Sequence, residues 1–379
     1  MSCEIENNPA PMTEKSELKL DLPEGVPPLT LLYLYVSGSC NLACRHCWIT
    51  PTFQKGTGND NGQHIKLSYV KKAIQEARPL GLRSVKLTGG EPTIHPHFRD
   101  IVNMITDEEF RIVIETNGML FEKKLAQFLK EKSPNAFISV SVDGAAAEIH
   151  ESLRGVKGSY QKTLAGIRNL VDVGFHPQLI CTLHKGNVHQ VEEVVALGEK
   201  LECGSVKFNL LQQIGRGEEF SRDNGLQPTE ILELYRRLEK ELIPQSYVPI
   251  HFDIPFAFHP ISRLLRSSSG RCSIINILGI LSGGELSICG IAVTVPELIF
   301  GHMEESDLRQ VWCESSGLIR LREQILGQLE GICSYCLHRD ICLGCCVANN
   351  FYTAGKLNAP YSFCTHAETL GLFPGSRKI

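Results

Sequence analysis

Between Leu31 and Leu211 the apolar residues fall into short, almost unbroken runs, separated by longer stretches in which they recur every three or four positions. The runs LLYLYV (31–36), SVKLT (84–88), RIVIET (111–116), AFISVSV (136–142), QLICTL (178–183) and VKFNLL (206–211) are rich in β-branched and aromatic residues and predict six buried strands. Between them LSYVKKAIQEARPL, FEKKLAQFLKEK, YQKTLAGIRNLVDVG and VHQVEEVVALGEKL have the helical repeat. Strands alternating with helices imply a parallel sheet with right-handed crossovers, and ligands of such sheets bind at the carboxyl ends of the strands. The unusual residues lie at those ends: Gly38-Ser39-Cys40, Thr88-Gly89-Gly90-Glu91-Pro92, Glu115-Thr116-Asn117-Gly118 and Ser141-Val142-Asp143-Gly144. One ligand site at one mouth of the sheet is the expectation.

The flanks lack this alternation. Residues 1–29 are polar, carry five prolines and predict an arm rather than a domain. After the sixth strand QQIGRGEEFSRDNG predicts a loop and TEILELYRRLEKEL a charged helix. The expected organisation is an arm (1–29), an α/β core (30–228), a bridging region (229–266) and a cysteine-rich domain (267–379). With 42% hydrophobic and 21% charged residues, the 379-residue chain has the composition of a folded globular protein. A net charge of −4 without a basic tract argues against nucleic acid as the main partner. No apolar run approaches the ~20 residues of a membrane helix, and the polar start lacks the pattern of an export signal, so a cytoplasmic location is expected, away from membranes. Fifteen cysteines in such a chain point to metal or redox chemistry, because a reducing compartment does not maintain structural disulfides.

Three of them form the motif CNLACRHC, in which Cys40, Cys44 and Cys47 have the spacing C-x3-C-x2-C directly after the first strand. Alternative readings are one buried helix face, or a zinc site with His46 as a fourth ligand. Three thiolates on an iron-sulfur cubane would leave one iron open. The motif resembles the signature of the radical S-adenosylmethionine (SAM) superfamily. The resemblance implies a partial (β/α)6 barrel in which Cys40, Cys44 and Cys47 hold a [4Fe-4S] cluster whose open iron chelates SAM. One-electron reduction then yields a 5'-deoxyadenosyl radical that takes a hydrogen atom from the substrate. The resemblance further implies that Gly89, Gly90, Glu91 and Pro92 receive the SAM ammonium group and that Ser141 and Asp143 lie at its ribose or carboxylate. It also implies that Arg154 pairs with the carboxylate. His46 stands where the family commonly has Tyr or Phe near adenine.

Eight further cysteines fall between Cys272 and Cys346, and Cys364 follows. The order Cys272-x11-Gly284-x4-Cys289, then Cys333-x2-Cys336-x5-Cys342-x3-Cys346, then Cys364 resembles the SPASM extension of radical SAM proteins, which carries two auxiliary Fe-S clusters, expected here as [4Fe-4S]. A zinc ribbon is the alternative. By analogy Cys333, Cys336, Cys342 and Cys364 hold one cluster and Cys272, Cys289 and Cys346 the other. The eighth cysteine of sulfatase maturases is absent from LLRSSSGR, which implies an open iron suited to a substrate thiolate, unless Cys313 or another residue fills it. The resemblance therefore implies a maturase that forms a Cys thioether in a ribosomally made precursor peptide, with a flavodoxin- or ferredoxin-type electron donor. C–C crosslinking or side-chain oxidation, including sulfatase-maturase-like activity, is the alternative chemistry, and a noncatalytic Fe-S or zinc scaffold a third reading. Cys181, on the fifth strand, is a candidate hydrogen donor if it faces the barrel interior. The short arm predicts that the leader of a precursor is recognised elsewhere.

Overall fold

The computed structural model describes residues 20, 22–53, 63–266 and 273–379. Its strands are β1 (Leu31–Ser37), β2 (Ser39–Cys40), β3 (Thr52–Phe53), β4 (Ser84–Gly89), β5 (Arg111–Thr116), β6 (Phe137–Ser141), β7 (Gln178–Leu183) and β8 (Ser205–Leu210), followed by β9 (Ile250–Phe252), β10 (Ile277–Ile280), β11 (Glu285–Ser287) and β12 (Ile299–His302). Ten of them make one open sheet in the order β12-β11-β10-β1-β4-β5-β6-β7-β8-β9, and β2 pairs with β3. The six strands expected from the apolar runs are β1 and β4 to β8, adjacent in chain order and all parallel. Every residue of β1 is buried, as expected for a strand covered on both faces.

Crossover helices cover the sheet: α1 (Leu67–Ala77), α2 (Phe98–Asp107), α3 (Lys123–Lys132), α4 (Ala147–Arg154), α5 (Ser159–Asp172) and α6 (Val191–Lys200). In α1 the buried set Tyr69, Val70, Ala73, Ile74 and Ala77 forms one stripe, and Pro79 converts its continuation into a 3-10 turn ending at Gly81 in the left-handed region. Two more helices follow β8, α7 (Arg216–Asn224) and α8 (Pro228–Arg237). Here the structure corrects the expected loop at 212–225. Glu218 and Glu219 lie in the first turn of α7, where the helix dipole favours acids, and Gly217 and Phe220 are its buried residues.

The cysteine-rich region is joined to the same sheet. β10 runs parallel to β1, with Leu31 opposite Ile277, and the antiparallel β11 and β12 extend that edge. Of the expected arm, residues 1–19 and 21 lie outside the described residues. Its end is pinned where Trp312 Nε1 donates to the Pro27 carbonyl and Asn276 Nδ2 to that of Pro28. Among the described residues no helix is long and apolar enough to cross a membrane.

Candidate functional site

At the carboxyl end of β1 the chain turns through Gly38 into the cysteine loop. β2 and β3 close the base of that loop, with Ser39 opposite Thr52 and Cys40 opposite Phe53. Its far side is held by α4, since Ala43 N donates to Arg154 O and Arg45 N to Leu153 O. A Cβ on Gly155, the left-handed cap of α4, would stand 2.6 Å from Ala43 O, so only glycine allows this approach. The start of α7 grips the third side, with Arg216 N donating to Cys47 O at 3.0 Å. The loop is thus fixed by one neighbouring strand pair and by two helices remote in sequence.

Cys40, Cys44 and Cys47 line one cavity with His46, Trp48, Thr88, Gly89, Gly90, Thr116, Asn117, Ser139, Ser141 and Arg154. Leu42 N donates to Cys40 Sγ at 3.4 Å and Arg154 Nη1 to Cys44 Sγ at 3.6 Å. Burial pushes the ionisation of both thiols up, and Arg154 offsets part of that at Cys44. Thiols so placed become thiolates when a metal cation replaces their protons, and the N–H groups on sulfur are the kind of contact that tunes a cluster. The donor set fits an Fe-S cluster held by three thiolates. Among the described residues no group of three or more His, Cys, Asp or Glu side chains closes on a single metal ion.

The remaining expected residues divide between wall and support. Gly89, Gly90, Ser141, Arg154 and His46 line the cavity, whereas Glu91, Pro92 and Asp143 stand behind it. The Glu91 carboxylate is fully buried and accepts from Thr93 N, Thr93 Oγ1, Thr116 Oγ1 and Asn117 N, tying the end of β4 to that of β5. Its side chain braces the two strand ends from behind the cavity wall. Gly90 is required for packing, because a Cβ there would meet Ser39 O at 1.9 Å. Asp143 accepts from Arg154 Nε at 2.5 Å and from Thr182 N at 2.8 Å. Burial opposes its charge, yet the Arg154 guanidinium and the Thr182 N–H hold the carboxyl below its usual range. Burial pushes His46 down to about 3, so its ring is neutral.

Cys181 is a second correction. Ile180 and Thr182 line the cavity, so strand alternation turns Cys181 to the other face, into the apolar core, where Asn187 Nδ2 donates to its sulfur. Glu115, among the unusual residues at the strand ends, lines the cavity and takes a 2.7 Å ion pair from the buried Lys86. Other wall residues were not singled out by the motifs. Ser139, two residues before Ser141, was findable by the period of two, as were Thr182 and Asn209; Gln212 and Arg216 fall in the stretch read as a loop.

In the C-terminal region Cys333, Cys336, Cys342 and Cys364 line one pocket with Pro255, Ala257 and Phe373. Burial raises the ionisation of Cys364, and the Cys342, Cys333 and Cys336 sulfurs add to it. Of the other expected set, Cys289 lies just beyond β11 and Cys346 opens the helix Val347–Ala354, while Cys272 is outside the described residues. Cys289 is close to the first site: Gly290 N donates to Tyr35 Oη, and the Tyr35 ring stands edge-on to Trp48 in the cavity wall. Cys313 is buried in a helix beside Trp312.

Residues 34–198 match the sequence profile of the radical SAM superfamily, so this stretch is a radical SAM domain. Mycofactocin maturase MftC of Mycolicibacterium smegmatis is 28% identical over 334 residues, 86% of this chain and 80% of that protein. AdoMet-dependent heme synthase of Methanosarcina barkeri is 25% identical over 328 residues, 82% and 89% of the two chains. The fold is that of Streptococcus suis SuiB, seen with S-adenosylmethionine (TM-score 0.70) and with precursor peptide SuiA (TM-score 0.69). Both SuiB structures are 18% identical and cover 89% of this chain, which spans 77% and 76% of them.

Proposed function

We propose that this chain, an enzyme built on a radical SAM domain, matures a ribosomally made peptide and that the bond it forms is a Cys thioether. The observation that carries the radical SAM chemistry is the convergence of Cys40, Cys44 and Cys47 on the cavity lined by the ends of β4, β5 and β6. These thiolates would hold a [4Fe-4S] cluster, with SAM between them and Gly89, Gly90, Ser141, Arg154 and His46. Reduced, that cluster supplies the electron that turns SAM into a source of a 5'-deoxyadenosyl radical. The protein's own part is placement. Asp143 holds the Arg154 guanidinium against Cys44, and Glu91 fixes the strand ends to each other.

Cys333, Cys336, Cys342 and Cys364 would hold one auxiliary cluster, and Cys289 and Cys346 with Cys272 the other. Three thiolates at the latter leave an iron for a substrate Cys, which is the reason for preferring a thioether. The likeness to MftC and to the fold of SuiB favours a peptide substrate, and so does a second cavity that shares Leu210 and Gln212 with the first and runs past Gln227 to Tyr361. The likeness to AdoMet-dependent heme synthase favours a second reading, in which the substrate is a tetrapyrrole.

Anaerobically reconstituted protein with a one-electron donor should convert SAM to 5'-deoxyadenosine. The triple replacement C40A/C44A/C47A should abolish this and remove roughly four irons per chain while keeping the others. A Cys-bearing precursor peptide, to be sought in the reading frames beside the gene, should lose two mass units and one alkylatable Cys. A product that still alkylates at every Cys overturns the thioether, and turnover of an iron porphyrin with none of any peptide overturns the peptide.

A further inference from the structure

The cavity wall beyond β8 carries a charge that the cofactor reading leaves unused. Arg216, anchored through its backbone to Cys47 O, turns its side chain into the cavity. Its Nε and Nη2 are shielded from water and have no hydrogen-bond partner among the described residues. Two other cations at this site are paired, Arg154 with Asp143 and Lys86 with Glu115. Glu115 is the acidic residue lining the cavity, and Lys86 occupies it. On the same wall Asn209 Oδ1 is also buried without a partner. Arg216 is half-buried, and guanidinium nitrogens shielded from water are costly unless an anion meets them; the planar fork suits a carboxylate best.

We infer that Arg216 receives a carboxylate of the substrate and thereby fixes which part of it faces the cofactor. The inference rests on the reading of this cavity as a radical SAM active site. On that reading the cofactor's own carboxylate would take Arg154, on the side of the cysteine loop held by α4. Arg216 stands instead on the side of the loop gripped by α7, a few residues after Leu210 and Gln212, which line both this cavity and the second one.

N-acetylglycine and its uncharged amide, N-acetylglycinamide, are probes for the charge alone. Each is titrated at constant ionic strength into SAM-saturated, reconstituted protein and followed by saturation-transfer NMR. Wild type should bind the acid and not the amide. R216Q should weaken the acid at least about tenfold, and R216K, which keeps charge but loses the fork, by less. Both variants should keep wild-type iron content and SAM affinity. No preference for the acid in wild type, or equal binding by R216Q, overturns the inference. So does displacement of the acid by SAM together with loss of SAM affinity in R216Q, since the carboxylate would then be the cofactor's. If wild type forms no 5'-deoxyadenosine, the maturase reading fails while the comparison of acid and amide stands by itself.

Discussion

His150 shows how one side chain can support the site without facing it. Its Nδ1 accepts from Asp143 N at 3.2 Å, which requires that nitrogen to be unprotonated, and its Nε2 is buried without a partner among the described residues. Burial lowers its ionisation from 6.5 to about 4, Arg154 adding to the effect. The unfolded chain therefore takes up a proton that the folded one refuses. Its contribution to stability is whole above pH 6.5 and drains away as the pH falls towards 4, by on the order of 2–3 kcal/mol. Urea unfolding of anaerobic protein between pH 7 and 4.5 should show this slope, and H150Q should flatten it; an unchanged slope assigns the acid sensitivity elsewhere. At this scale the sequence was legible where spacing alone carries the chemistry, as in Cys40, Cys44 and Cys47. It was less so where a motif residue serves packing: that Glu91 braces two strand ends shows only in its four donors, and Cys181 could be placed on the correct face only by knowing that Thr182 points inward.

Among the elements, strands announced themselves and α7 did not. β5 and β7 have the bounds of their apolar runs, because burial on both faces leaves little room for polar residues. α7 has few apolar residues to reveal a period, and what fixes it is tertiary: a Cβ on Gly215 would meet Trp48 O at 2.7 Å and one on Gly217 would meet Gln212 O at 2.3 Å. G217A should thus shift the helix off the cysteine loop, lowering stability by about 1–3 kcal/mol. Thermal unfolding and iron content measure the two halves of that outcome. Wild-type values for both would mean that α7 does not brace the loop.

For the molecule as a whole, the consequential feature is that the cysteine-rich region is hydrogen-bonded into the sheet that carries the first cysteine loop. Tyr35 on β1 meets Gly290 beside Cys289 on one side and Trp48 on the other, so the two chemistries share a strand. Truncation after residue 266 should uncover the edge of β1 that β10 occupies and send the remaining chain into aggregates, detectable by sedimentation under native conditions. A monomeric, folded fragment would show that the two regions are separable. The resemblance of the cysteine order to the SPASM extension implies that Cys333, Cys336, Cys342 and Cys364 share a site, and they line one pocket, but no local pattern could show β10 beside β1, since that pairing joins residues far apart in the chain.

The same pairing has a consequence for synthesis. β1 leaves the ribosome before the other strands of this sheet, yet one of its two neighbours, β10, is made only after all the strands from β4 to β9. Until then the nascent chain carries a bare apolar margin, the kind of surface that holding chaperones recognise. Slow codons placed before β10 should therefore cost more yield than the same codons placed after it.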